Sequence, residues 1–223
     1  MNPETKIIQY GMGRSGTTLV YNILSEVFNR KIIVKSHTYL QIKDSKNRLV
    51  LACYRDFRDT MASHWRVVQS QESKNYKKDF VNDNATRQMN VEEVEYWCNR
   101  KLEEYGRNLL NFKKHWRNNI IYLKYEDYVI DYNIVYDGIE KLTGKSIPRE
   151  KRNEISEKWS IENSRKIADK YNNFNQYDVV THMHGHHIHK GLHGSWKSFV
   201  PSDLHGYVNK KFEKILIEWG YKI

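Results

Sequence analysis

Three short stretches of this chain gather side chains that bind anions or move protons. The first is Lys6-Ile-Ile-Gln-Tyr-Gly-Met-Gly-Arg-Ser-Gly-Thr-Thr-Leu-Val-Tyr-Asn-Ile-Leu24. An apolar run ends at Tyr10, Gly11, Gly13 and Gly16 punctuate the next few residues, and an apolar-periodic segment runs from Leu19 to Phe28. That pattern predicts strand, tight loop and helix. Glycines let the backbone turn back and bring its N–H groups close to a ligand, and the helix start adds unpaired donors and a positive dipole end. Together they make an anion cradle whose usual guest is phosphate, although the same glycines would also suit an ordinary strand–turn–helix. A nucleotide triphosphatase loop reads G-x-x-x-x-G-K-[ST]. Gly11 and Gly16 have that spacing, but Thr17 stands in the lysine's place and Arg14 is the loop's cation. The loop is equipped for a phosphate group and poorly equipped for ATP with magnesium.

The second stretch is Tyr54-Arg-Asp-Phe-Arg-Asp-Thr-Met-Ala-Ser-His-Trp-Arg66. Arg55 ends a predicted strand and Ser63 lies on the helix after it. A guanidinium grips phosphate with two parallel hydrogen bonds and a hydroxyl adds a third; the competing reading is a charged helix start whose arginines pair with neighbouring aspartates. The third is Lys35-Ser-His37, at the end of another predicted strand. An imidazole titrates near working pH and suits general-base work on a hydroxyl, while a purely structural histidine fits the position as well.

These groups need a scaffold, and the sequence supplies one. Lys31-Ile-Ile-Val-Lys-Ser-His37 and Arg48-Leu-Val-Leu-Ala-Cys-Tyr54 read as strands, the latter continuously apolar and so buried on both faces. Asp56 to about Gln71 carries Met61, Trp65 and Val68 at helical spacing, and Ser70 to Asn90 is a polar surface excursion. Val91 to Trp116 reads as a long amphipathic helix with Val94, Trp97, Leu102, Tyr105 and Leu109 inward. A strand at Asn119–Lys124, a helix from Asp131 to Leu142 stopped by Gly144, a helix introduced by Pro148, a charged and exposed helical region over 150–170, and a helix from Ser202 to Trp219 complete the chain. Strands alternating with helices predict a three-layer α/β domain over residues 1–223 with a central parallel sheet. Ligands of such sheets sit beyond the carboxyl ends of the strands, and Arg14, His37 and Arg55 all lie just past predicted strand ends.

A family resemblance emerges from these same residues. Gly13-Arg-Ser-Gly-Thr-Thr-Leu19 resembles the 5′-phosphosulfate loop of the sulfotransferases, whose donor is 3′-phosphoadenosine 5′-phosphosulfate (PAPS), with a lysine or arginine at the Arg14 position. It implies donor contacts from Arg14, Ser15, Gly16, Thr17 and Thr18. Arg55, Asp56, Arg58, Asp59 and Ser63 match the family's R-D-P-R-D-x-x-x-S pattern, with Phe57 where proline is usual, and imply that Arg55 and Ser63 hold the 3′-phosphate. Lys35-x-His37 resembles the cytosolic branch, which implies His37 as base with Lys35 and Arg14 stabilising charge at the transferring group; other branches use a glutamate. Lys124-Tyr-Glu-Asp-Tyr128 resembles the family's Y-E-D segment and implies Tyr125 near the adenine, with a core role as the equal alternative. Leu19 stands where a tryptophan often stacks on the base, and Trp159 is a candidate replacement. Ile188-His-Lys-Gly-Leu-His-Gly-Ser-Trp-Lys197 resembles R-K-G-x-x-G-D-W-K, with His189 for arginine and Ser195 for aspartate. It implies His189, Lys190 and Gly191 on the 3′-phosphate, from a mobile lid over residues 172–200 whose grip is weaker or pH-sensitive.

The resemblance spans nearly the whole chain and implies a P-loop nucleotide-hydrolase-like fold. It also implies sulfuryl transfer to an acceptor hydroxyl or amine, with 3′,5′-adenosine bisphosphate as product and no metal. His182, His184, His186 and His187 are too dense on a loop to give converging metal ligands. A formal charge of +10 implies an anionic partner, but no basic-aromatic repeat or nucleic-acid motif accompanies it, so no nucleic acid is expected. The mean hydropathy of -0.82 and the lack of a long apolar run argue against a membrane span. Cys53 and Cys98 form no disulfide framework, and Met1-Asn-Pro-Glu-Thr leads straight into the first strand without a cleavable signal, so a reducing, cytoplasmic setting is expected. The segments Gln69–Asn90 and Lys35–Asn47 would shape a pocket for a small-molecule or glycan acceptor. Two rival functions share these features: an atypical P-loop nucleotide kinase, and a non-catalytic basic protein that binds acidic glycan or nucleic acid.

Overall fold

Alternate residues of a strand point to opposite faces of its sheet, and here both faces are apolar. The computed structural model describes residues 6–38, 48–72, 87–110, 119–185, 188 and 193–223. Strands β1 (Ile7–Gly11), β2 (Ile33–Ser36), β3 (Leu49–Tyr54) and β4 (Ile120–Lys124) form one parallel sheet in the order β2-β1-β3-β4. Ile8, Tyr10, Val50 and Ala52 pack on one side beneath α2 (Phe57–Glu72), α3 (Val91–Arg107) and α8 (His205–Glu218), through Phe57, Met61, Trp65, Trp97 and Phe212. Ile7, Leu51, Cys53 and Leu123 pack on the other, beneath α1 (Thr17–Val27), α5 (Asn133–Thr143) and α6 (Arg149–Lys158). The result is the three-layer αβα arrangement that the alternation of strands and helices predicted. Cys53 is a core residue whose thiol burial pushes up to about 12.

The strand tips end level with one another. Tyr10 pairs with Ser36 on one side and Ala52 on the other, and Tyr54 pairs with Lys124. Because β1 lies between β2 and β3, the chain leaves it to opposite sides, and a crevice opens at that reversal. Arg14, His37, Arg55 and Tyr125 all come just after a strand tip.

Several boundaries differ from the sequence reading for local reasons. Asn90 caps α3 in a capping box with Glu93, as its sequence position allows. α3 runs to Arg107 rather than Trp116, and residues 111–118 lie outside the described chain. Of its predicted inward positions, Val94, Trp97, Tyr105 and Leu109 are buried, while Leu102 only packs against the core edge. Gly144 closes α5 in the left-handed conformation, with φ of 70°. The region over 150–170 is not one exposed helix: Ser160 accepts from the Asn163 amide and starts α7 (Ile161–Ala168), and Ile155, Trp159 and Ala168 reach the core. The polar excursion falls mainly on residues 73–86, outside the described chain, as do residues 39–47 of the expected acceptor loop.

The glycine loop between β1 and α1 is fixed by contacts that leave no room for side chains. At Gly11 a Cβ would lie 2.7 Å from the Cys53 carbonyl oxygen. Gly16 has φ of +77°, and a Cβ there would collide with the Tyr128 hydroxyl, which itself donates to the Ser15 carbonyl at 2.7 Å. Tyr128 belongs to the short helix α4 (Tyr125–Tyr128), so the end of β4 braces the loop from below. Gly16→Ala combines left-handed strain with overpacking and should lower stability by on the order of 2–4 kcal/mol, read as a loss of melting temperature and of denaturant midpoint.

Candidate functional site

Beyond the strand tips lies a cleft of about 850 Å³, counting the open solvent at its mouth. Its lining divides by chemistry. Arg14, Thr18, Arg55, Ser63, Arg66 and Ser195 make a polar, cationic set, and Tyr125, Val129, Tyr132, Trp159, Ile161 and Met183 make an apolar and aromatic one. None of the described lining residues is Asp or Glu. A cleft of this kind suits a ligand with a flat apolar part and a strongly anionic part.

The cations are held by the loop and by one another's backbones. Arg14 sits in the left-handed region, with φ of 72°. Its Nε donates to Ser63 Oγ at 2.9 Å, and its guanidinium lies 5.2 Å from the centre of the Phe174 ring. Arg55 is buried and donates from Nη1 to the Arg14 carbonyl at 3.3 Å, with its guanidinium 4.3 Å above the Tyr125 ring. Its Nε is buried and has no hydrogen-bond partner among the described residues. Such an unmatched charged donor is costly unless a ligand meets it. Arg55 and Ser63 therefore do converge on the glycine loop.

Arg58 behaves differently. It pairs with Asp56 through Nη2 and Oδ2 at 2.6 Å and also reaches Asn209 Oδ1 and the Lys222 carbonyl. The reading of arginines paired to neighbouring aspartates thus holds for Arg58 and not for Arg55. Asp59 is fully buried and accepts from the Gly194 amide at 2.8 Å, the Trp196 amide at 2.9 Å and the Ser195 hydroxyl at 3.1 Å. It fastens residues 194–196 to the helix that carries Ser63.

Lys35 and His37 project from the end of β2 toward the same loop. Lys35 Nζ donates to Thr18 Oγ1 at 2.8 Å, and desolvation, with Arg14 nearby, pulls its pKa down to about 8. His37 Nδ1 lies 2.9 Å from the Gly11 carbonyl oxygen. A carbonyl only accepts, so Nδ1 carries the proton and Nε2 keeps its lone pair. His37 is exposed as a residue, yet desolvation holds its pKa below the usual imidazole value, against the pull of the Gly11 bond.

The remaining predicted residues divide between cleft and scaffold. Gly16 and Thr18 line the cleft, whereas Thr17 is buried away from it and the Ser15 hydroxyl donates inward to the Met12 carbonyl at 2.7 Å. Tyr125 lines the cleft and packs edge-on to Tyr128. Trp159 and Leu19 also line it. His189, Lys190 and Gly191 lie outside the described residues, as do His186 and His187. His182 packs edge-on to Tyr21, and His184 stacks on Phe174 at 4.4 Å. Sequence reasoning missed Arg66, Tyr132 and Met183. Arg66 had a signal, since it comes three residues after Ser63 on one helix and so shares its face; Tyr132 and Met183 had none.

Comparison with known proteins agrees with this fold. The family model described as Sulfotransferase domain matches residues 28–220. The chain belongs to the sulfotransferase family. Its fold is similar to that of mouse sulfotransferase SULT7A1 complexed with PAP, with a TM-score of 0.65 at 14% identity over 96% of this chain and 84% of that one. Retinol dehydratase complexed with androsterone and the inactive cofactor PAP gives a TM-score of 0.64 at 14% identity, over 97% of this chain and 81% of that one. Retinol dehydratase in a complex with retinol and PAP gives 0.62 at 16% identity, over 96% and 81%. No curated protein matches in sequence. The sheet and its flanking helices are thus the P-loop-like α/β fold of sulfotransferases.

The family match begins after the glycine loop, so in this sulfotransferase the loop's place in the cleft rests on the contacts of Gly11, Arg14, Ser15 and Gly16. Asp59 is the buried joint between the cleft wall on α2 and residues 194–196. Asp59→Asn replaces one acceptor oxygen with a donor facing N–H or O–H groups. It should cost roughly 2–4 kcal/mol in equilibrium denaturation, with Ser63→Ala, which leaves the joint intact, as the milder control.

Proposed function

We propose that this sulfotransferase moves a sulfuryl group from PAPS to a hydroxyl or amine of a small-molecule or glycan acceptor. The observation that carries the proposal is the buried, unmatched Nε of Arg55, set beside Arg14 and Ser63 and next to an aromatic wall. An adenine nucleotide with phosphate at two separate positions offers what both halves of the cleft lack. PAP, present in the structures of all three neighbours, is the desulfated form of that donor. The retinol and androsterone bound to retinol dehydratase support a small-molecule acceptor.

In this reading Arg55 and Ser63 anchor the 3′-phosphate, with His189, Lys190 and Gly191 closing over it. Tyr125 and Trp159 flank the adenine. Remote binding of this kind holds the donor in register for reaction. His37 Nε2 takes the proton from the acceptor, because the Gly11 carbonyl fixes the tautomer. Arg14, Lys35, Thr18 and the backbone N–H groups from Ser15 to Thr18 neutralise charge that builds on the transferred group and the departing 5′-phosphate. Ser15 and Thr17 contribute through their backbone, since their side chains face inward. The kinase reading loses support at Thr17, which is buried where a nucleotide triphosphatase needs its phosphate-binding lysine. Two free, buried cysteines support a cytoplasmic setting. No described helix is long and apolar enough to cross a membrane.

Thermal-shift titration tests the donor. The wild type should bind 3′,5′-adenosine bisphosphate about ten- to a hundredfold more tightly than adenosine 5′-monophosphate, with Arg55→Ala removing most of the difference. Indifference to the 3′-phosphate, or a preference for ATP with magnesium, would overturn the proposal. Bisphosphate affinity should also depend on pH through Lys35. Its ammonium is present below about 8 and is lost as pH rises through that value, so affinity is level below it and declines above it. Lys35→Arg stays charged and should extend the level region to higher pH.

A further inference from the structure

Little holds the Arg55 guanidinium directly. Among the described residues, Nη1 reaches the Arg14 carbonyl at 3.3 Å, Nε has no hydrogen-bond partner, and the Tyr125 ring lies 4.3 Å from the guanidinium. The aim of this side chain is therefore set by the backbone that carries it and by the ring on which it lies. Glu126 acts on both. It follows Tyr125 in α4, and its Oε1 accepts at 3.1 Å from the amide of Asp56, the residue after Arg55. Its Oε2 accepts from the Tyr221 hydroxyl at 2.8 Å. One carboxylate thus joins the chain leaving β3 to the chain leaving β4, at the residues that follow Arg55 and Tyr125.

Tyr221 completes the arrangement from the other side. It is buried, and its ring packs edge-on to that of Tyr54 with centroids 6.3 Å apart, while Lys124 Nζ lies 4.6 Å from its centre. Tyr54 and Lys124 immediately precede Arg55 and Tyr125. The cation and the ring beneath it are therefore bracketed on both sides in the chain, before by Tyr221 and after by the bond between Asp56 and Glu126. Neither Glu126 nor Tyr221 lines the cleft. Hydrogen bonds to a carboxylate are stronger than those between neutral groups, and a displacement of about 1 Å at a binding group can cost a hundredfold. We infer that Glu126, backed by Tyr221, is a positioning residue for the donor: it locks Arg55 and Tyr125 into one unit and so fixes the aim of Arg55 on the 3′-phosphate. The inference rests on the reading of PAPS as donor and gives a role to two residues to which the motifs assign none.

The test compares two ligands on the same protein. Isothermal titration of the full chain with 3′,5′-adenosine bisphosphate and with adenosine 5′-monophosphate gives the preference for the 3′-phosphate as a ratio of affinities. Glu126→Ala should lower that ratio about tenfold. Glu126→Gln keeps an oxygen for the Asp56 amide and an N–H for the Tyr221 oxygen, and should recover most of it. Tyr221→Phe keeps the ring contacts and removes only the hydroxyl, so it should fall between wild type and Glu126→Ala; it carries the test if Glu126→Ala does not fold. If the wild type prefers the bisphosphate and the deciding variant keeps the full preference, the positioning role is wrong and the donor reading stands. Equal loss for both ligands in Glu126→Ala, or no recovery in Glu126→Gln, also overturns the inference by marking Glu126 as structural. A wild type that does not distinguish the two ligands overturns the donor reading itself.

Discussion

The structure is organised around a concentration of positive charge that it must hold together. Arg14, Arg55 and Arg66 line one cleft, and Lys35 meets Thr18 at its edge. Like charges in a partly desolvated space repel more strongly than they would in water, and the molecule registers the strain. Arg14 contributes to the lowered pKa of Lys35, and Lys101, Arg14 and Arg100 add to the burial that holds the His64 imidazole well below its usual value. Aromatic faces relieve part of it, with Tyr125 under Arg55 and Phe174 under Arg14. Arg55 Nε is left without a hydrogen-bond partner among the described residues.

The described acidic residues nearest these cations bond to other groups of the scaffold. Asp56 neutralises Arg58, Asp59 is saturated by three donors from residues 194–196, and Glu126 accepts from the Asp56 amide and the Tyr221 hydroxyl. Each of these carboxylates is committed to a donor behind the cleft wall. His193 approaches this acidic layer, with Nδ1 at 3.5 Å from Asp59 Oδ2 and 3.7 Å from Glu126 Oε1. Charge is thus sorted by depth, with acids built into the scaffold and arginines lining the cleft. Asp56, Arg58 and Asp59 belong to the frame that places Arg55 and Ser63.

Legibility in the sequence depended on how local each signal was. The glycine loop, Arg55 with Ser63, and Lys35 with His37 each depend on a few residues beside a strand end, so spacing placed them past the strand tips and the resemblance to sulfotransferases supplied the roles expected of them. The motif Arg55–Asp59 could not be divided by spacing, because Arg55 and Arg58 have the same type and similar surroundings in the chain. Only the fold turns one toward the cleft and the other onto Asp56. Burial of Lys101 was hidden by its residue type: it lies on the inward face of α3 with Trp97, Cys98 and Tyr105, and its ammonium is rescued by Glu104 at 2.7 Å. Tyr132 and Met183 belong to segments far apart in sequence, and Tyr132 is positioned through its hydroxyl bond to the Trp159 carbonyl, which no periodicity records. The break at Ser160 was visible as a capping residue, but the apolar positions around it were outweighed by the surrounding charges.

The pairing of β2 with β1 bears most directly on chemistry. His37 is tied to the Gly11 carbonyl, and Lys35 is tied to the Thr18 hydroxyl, so both groups at the tip of β2 take their position from the loop after β1. The loop in turn takes its position from β3 and β4: Gly11 lies against the Cys53 carbonyl with no room for a Cβ, and Tyr128 binds the Ser15 carbonyl from beneath. His37, Lys35 and the glycine turn are therefore held as one unit. Groups that must act on the two ends of one transfer are best referred to a common frame rather than to each other, since direct contact would fill the space that the reacting group needs. The backbone of the glycine loop is that frame, which is why its side chains, Ser15 and Thr17, are turned inward to hold it still.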